Sequence, residues 1–180
     1  IEAYTNIANV LVVKKESNKA IKILNKAIEL NPKYLRTYSI LASILVGEGN
    51  LEKAEFFLRK SLEINPRDIN ALVNLGCILK DLGNTKQAER FLRDALKINP
   101  RYEVALTNIG AVLNELEKID EGEHYLRKAL EINPSSPMAL NNLGNLLSKK
   151  KDNKDAELCY RKAIDIKSDF SLAYNNLASL

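Results

Sequence analysis

The dipeptide Asn-Pro returns at Asn31-Pro32, Asn65-Pro66, Asn99-Pro100 and Asn133-Pro134, each pair 34 residues after the last. A fixed period of this length confines the chain to architectures in which one supersecondary unit is copied and stacked, because so short a unit cannot bury its own apolar face. The fifth expected place holds Lys167-Ser168. Preceding phrases keep the same register, as in Lys26-Ala27-Ile28-Glu29-Leu30, Lys60-Ser61-Leu62-Glu63-Ile64 and Lys128-Ala129-Leu130-Glu131-Ile132. Counting back from Pro32 makes Ile1 the first residue of a repeat. The expected organisation is a single array over 1–180, with repeats 1–34, 35–68, 69–102, 103–136 and 137–170 and a partial sixth at 171–180.

Within a repeat the apolar residues fall into two helical sets, each column being named here by its residue in the first repeat. Tyr4, Ile7, Ala8 and Leu11 have the i, i+3, i+4, i+7 spacing of one helix face, and Leu72, Leu75, Gly76 and Leu79 repeat it. A second set runs Ala20, Leu24, Ala27 and Ile28, with Ala156, Tyr160, Ala163 and Ile164 as a later copy. The Ala8 column holds Ala or Gly, and glycine costs up to about 1 kcal/mol of helix propensity, so a close approach of two backbones is expected there.

Punctuation divides the helices. Pro32, Pro66, Pro100 and Pro134 each push the preceding residue out of the α region and stop the second helix. Gly49-Asn50 and Gly83-Asn84 are expected to end a first helix and N-cap the next, with Gln87 completing a box against Asn84; Ser136 should cap in the same way. Repeat four has Glu117-Lys118-Ile119 in place of the turn glycine, so its turn is expected to be irregular.

The period and the small, large and Asn-Pro columns resemble the tetratricopeptide repeat family over essentially the whole chain. The resemblance implies an all-α fold, a right-handed superhelical α-solenoid of helix-turn-helix repeats whose first helices line a concave groove. Leu72, Leu106 and Leu140 depart from the aromatic usual in their column, and Gly122 stands where alanine belongs.

Catalytic constellations are missing. The chain has one histidine, His124, in a column shared with Lys22, Phe56, Arg90 and Leu158, which suits an ordinary, partly exposed side chain. Gly47-Glu48-Gly49 follows a helix rather than a strand and reads as a turn, not a phosphate loop. Cys77 and Cys159 fall in different columns, more than two repeats apart, so neither a disulfide nor a metal site is expected. No enzyme activity and no cofactor are expected. The recurrent Glu29, Glu63 and Glu131 share a face with Lys26, Lys60 and Lys128 and read as a solvated outer surface.

Opposite the packing columns of the first helix lie those of Glu2, Thr5, Asn6, Asn9 and Val13, which should form the concave side. The Asn6 column reads Asn6, Ile40, Asn74, Asn108, Asn142 and Asn176, so asparagine fills five of six places. Asparagine inside a helix costs about 0.5 kcal/mol or more against alanine, and here the cost recurs where no core demands it. A side-chain amide carries both donor and acceptor groups and can bond the N–H and C=O of an extended peptide whatever its sequence. With first helices about 10 Å apart and an extended chain advancing about 3.3 to 3.6 Å per residue, one amide would serve roughly every third residue. Asn9 and Asn145 with Ser43 and Ser179, and Asn141 and Asn175 with Thr5, Ser39 and Thr107, supply neighbouring polar columns. Such a ladder is similar to that of the tetratricopeptide arm of O-linked N-acetylglucosamine transferases. Family members that clamp a terminal carboxylate place basic residues in the Glu2, Thr5 and Asn6 columns; only Arg36 qualifies here, which disfavours acidic C-terminal tails.

The expected partner is a protein or peptide held in the groove. With 27 basic and 23 acidic residues the charge is too balanced to predict nucleic-acid binding, and no apolar run is long enough for membrane insertion. Lys149-Lys150-Lys151 reads as positive charge placed at a helix C-terminus. Two cysteines without a disulfide framework suggest a cytoplasmic setting. Three readings stay open: a peptide-binding scaffold, the substrate-recruiting part of a larger enzyme such as a glycosyltransferase, and a self-association module using Tyr174 and Leu177 on an uncapped last helix. The missing initiator methionine and polar terminal cap suggest a piece of a longer array.

Overall fold

The apolar columns fold as their spacing demands. A computed structural model of the protein describes all residues 1–180 and contains eleven α-helices and no strand. First helices are α1 (Glu2–Val13), α3 (Leu35–Gly47), α5 (Ile69–Asp81), α7 (Glu103–Glu115), α9 (Pro137–Lys149) and α11 (Ser171–Ala178). Second helices are α2 (Ser17–Leu30), α4 (Leu51–Ile64), α6 (Thr85–Ile98), α8 (Ile119–Ile132) and α10 (Asn153–Ile166). The chain divides into two compact units, Ile1–Gly83 and Asn84–Leu180.

In the first unit α1 pairs with α2 and α3 with α4, and α5 packs on α4. Its core is built from Ala8, Leu24, Leu41 and Leu58, all fully buried. Ile7, expected to pack, is 49% exposed, because α1 has no neighbour on its outer side. In the second unit α7 pairs with α8 and α9 with α10, and α6 and α11 flank them. Phe170 and Ala173 bury against Leu140 and Ala163 and anchor α11. Two columns that the period did not mark are also core: Ala71, Ala105, Ala139 and Ala173 in one, Ile44, Ile78, Val112 and Leu146 in the other.

The small column is explained by a side chain rather than by backbone alone. A Cβ at Gly110 would lie 2.4 Å from Leu126 Cγ, and one at Gly144 would lie 2.5 Å from Tyr160 Cε1. The second-helix knob fills the space that the glycine leaves. Backbones do approach at Gly122, whose Cβ would meet the Gly110 carbonyl oxygen at 3.2 Å.

The proline stops act as expected, with Asn31, Asn65, Asn99 and Asn133 in extended conformation at φ −146° to −132°. Each asparagine then accepts, through Oδ1, the N–H two residues on, at Lys33, Arg67, Arg101 and Ser135. Lys167 has the same geometry, φ −132° and ψ 94°, with no proline after it. The expected asparagine caps are corrected: Asn50 and Asn84 make no side-chain cap hydrogen bond. Ser136 caps α9 as expected, and Asp68 and Asp152 supply further side-chain caps. The turn of repeat four is also regular. Glu117 takes φ 57°, the left-handed position held by Gly49 at 73° and Gly83 at 77°, and Lys118 N–H closes onto Leu113 O at 2.9 Å as Asn50 N–H does onto Leu45 O at 2.8 Å.

A run of i, i+4 ion pairs, Glu55–Arg59, Glu89–Arg93, Glu123–Arg127 and Glu157–Arg161, marks successive second helices. Each is worth about 0.3 to 0.5 kcal/mol where exposed. Arg93 also reaches Glu121 at 2.7 Å and the Tyr125 hydroxyl at 3.2 Å, tying α6 to α8.

Candidate peptide-binding face

The ladder asparagines sit on the open sides of the first helices. In the first unit Asn6 and Asn74 are exposed and their side-chain amides make no intramolecular hydrogen bond, and Asn9 is exposed one turn along α1. Asn74 lines a cavity of about 190 Å³ together with Ser43, Val46, Cys77, Ile78 and Asp81. Burial pushes the Cys77 thiol up to about 11, so this thiol is uncharged at neutral pH.

In the second unit α7 neighbours α9 and α9 neighbours α11, which sets Asn108, Asn142 and Asn176 on successive helices. Their states differ. Asn108 Nδ2 donates back to Val104 O at 2.8 Å, leaving Oδ1 open. Asn142 is half-buried and has no intramolecular partner. Asn176 Nδ2 donates to Asn141 Oδ1 at 2.9 Å. That bond corrects the reading of Asn141, which is 3% exposed and packs between helices; it steadies Asn176 rather than facing a guest. Its column is buried at Thr5 and Thr107 as well, while Asn175 is exposed.

Asn145 faces a cavity of about 270 Å³ lined also by Asn114, Ser148, Lys149, Tyr160, Asn176 and Ser179. The Tyr160 hydroxyl donates to Asn145 Oδ1 at 2.8 Å. Burial raises the Tyr160 phenol to about 12, with Cys159 adding to the shift, so it remains a donor and occupies the Asn145 oxygen, leaving the NH₂ without an intramolecular partner. Sequence reasoning missed Tyr160 as an orienting group, because its column otherwise reads as core leucine.

The lysine run is engaged in structure. Lys149 Nζ donates to the Asn114 carbonyl oxygen at 3.0 Å and pairs with Glu117 at 2.8 Å, and Lys150 pairs with Asp120 and Glu123, each at 2.9 Å. His124 is exposed against Tyr125, and no three His, Cys, Asp or Glu side chains converge as a metal-ligand group. No helix is long and apolar enough to cross a membrane.

Comparison with known proteins agrees with this architecture. Family models described as tetratricopeptide repeat match residues 11–75, 45–109 and 102–169. YrrB, described as a TPR protein with an unusual peptide-binding site, superposes with a TM-score of 0.74 at 26% identity, over 98% of this chain and 91% of that one. TTC0263, a thermophilic TPR protein in Thermus thermophilus, gives 0.79 at 21% identity over 99% and 97% of the two chains. A tetratricopeptide repeat protein from Parabacteroides merdae gives 0.82 at 22% identity, over 99% of this chain and 71% of that one. No curated protein sequence matches significantly.

Proposed function

Because the chain belongs to the tetratricopeptide repeat family, whose fold is generally a non-catalytic interaction scaffold, we propose that it holds an extended peptide segment of a partner protein on the open faces of its first helices. The observation that carries this reading is the recurring amide: Asn6, Asn74 and Asn142 make no bond within the chain, and Asn108 keeps its acceptor free. An exposed amide without a partner adds nothing to stability, whereas an extended peptide supplies the complementary N–H and C=O groups. Within the second unit Asn145, bonded by Tyr160, and Asn176, steadied by Asn141, add polar groups beside Asn108 and Asn142. Asn9 and Asn175 border it. A peptide-binding site in the similar protein YrrB supports the class of ligand.

The ladder is tested by replacing Asn74, Asn108 and Asn142 together with alanine. Folding stability should be unchanged or slightly higher, since alanine is the better helix former, and affinity for a peptide partner recovered by pull-down should fall about tenfold or more. Unchanged affinity for a ligand shown to lie on this face excludes the ladder.

A further inference from the structure

One turn before each ladder asparagine of the second unit stands an apolar side chain open to solvent: Val104, Met138 and Leu172 are 43%, 46% and 53% exposed. The matching places in the first unit hold Glu2, Arg36 and Asn70. Residues four apart share a helix face, so α7, α9 and α11 each present an apolar group beside an amide. Neighbouring helices repeat the arrangement as two parallel rows. Across these three helices the Glu2, Thr5, Asn6 and Asn9 columns contain no charged residue, and charge enters this side only in the Val13 column, at Glu115 and Lys149 in the last turns of α7 and α9.

We propose that this face takes an uncharged peptide in the polyproline II conformation, with an apolar side chain at every third residue. The proposal rests on the peptide-binding reading above and adds the conformation and sequence class of the ligand. Packed helices lie about 8 to 10 Å apart. Three residues of polyproline II advance about 9.3 Å and return a side chain to the same face, so apolar groups fall in step with Val104, Met138 and Leu172. A β-strand returns to the same face every two residues, about 6.6 to 6.8 Å, and falls out of step after one helix. Polyproline II has no internal hydrogen bonds, so its backbone groups are free for Asn108 and Asn142. A charged ligand residue would lose water here and find no counter-charge in the four columns.

Fluorescence anisotropy on the full chain tests the inference with two labelled peptides of equal leucine and glutamine content, leucines spaced three apart in one and two apart in the other. The three-apart peptide should bind about tenfold more tightly, and Met138→Asn, which copies the residue type at Asn70, should remove most of that preference. Circular dichroism should show the variant folded. Asn108→Ala with Asn142→Ala should weaken both peptides while preserving the preference. Equal affinities, with the asparagine variant still weakening both, overturn this inference and leave the amide ladder standing. Failure of both peptides to bind overturns this inference and the peptide-binding reading together. Equal binding when the spacer glutamines become glutamates overturns the demand for a neutral ligand. A dimer that Met138→Asn dissociates, in a chain indifferent to spacing, assigns the apolar row to a second copy instead.

Discussion

Lys15, Glu117 and Lys151 carry full side chains in the left-handed region, at φ 60°, 57° and 64°, where other repeats place Gly49 and Gly83. A β-carbon there crowds the following carbonyl at a cost of about 1 to 2 kcal/mol, of which a glycine replacement returns part, the rest being offset by the wider unfolded ensemble. Lys151→Gly is therefore expected to raise stability by up to about 1 kcal/mol, read as a higher urea midpoint at unchanged slope. A lower midpoint would show that the lysine stem holds the turn by contacts. The sequence predicts an irregular turn in repeat four and the structure makes it regular, because local preference says what a turn costs and not whether the packed helices on either side will enforce it. Asn141 was misplaced for a related reason. A small polar residue at the edge of two faces carries no signal of its side, and the structure buries it at 3% exposure.

Between elements, the fit of α9 to α10 turns on Gly144 and Tyr160. With a Cβ at Gly144 lying 2.5 Å from the ring, Gly144→Ala should cost about 1 to 3 kcal/mol despite its better helix propensity. Adding Tyr160→Leu recreates the Ala42–Leu58 pairing of repeat two and should recover most of the loss, measured by denaturant unfolding of both variants. No recovery would mean that the Tyr160 hydroxyl bond to Asn145 matters more than the ring volume. Helix existence and pairing were legible because apolar columns recur in step; of the caps only Ser136 was, since Asn50 and Asp68 look equally suited and only Asp68 bonds to backbone N–H groups. Tyr160 also shows why part of the candidate site stayed hidden. One side chain serves the core through its ring and the open face through its hydroxyl.

For the molecule as a whole, acid should act first through the carboxylates that link repeats of the second unit. Burial opposes ionisation of Glu89, but hydrogen bonds from Lys118 and Arg93 prevail and hold its carboxyl below the usual range. Hydrogen bonding from Lys150, outweighing burial and aided by Arg127, does the same for Glu123. A carboxylate with a lowered folded pKa contributes stability that is present above its unfolded value, about 4.3, and is lost as pH falls through the folded value. Melting temperature should drop below about pH 4.5, and Glu123→Gln should flatten that drop while lowering stability at neutral pH. An unaltered acid limb would assign it to other carboxylates. The period was legible throughout because duplication preserves spacing, and the asparagine column stands out in the sequence because asparagine is a poor choice inside a helix. The extended backbone at Lys167 has the form of the four asparagines that precede it in the period, although serine and not proline follows it. The corner is thus not the property of one dipeptide: helices packed on both sides of it can hold the same backbone, so a module in such an array tolerates a changed stop signal without losing its shape.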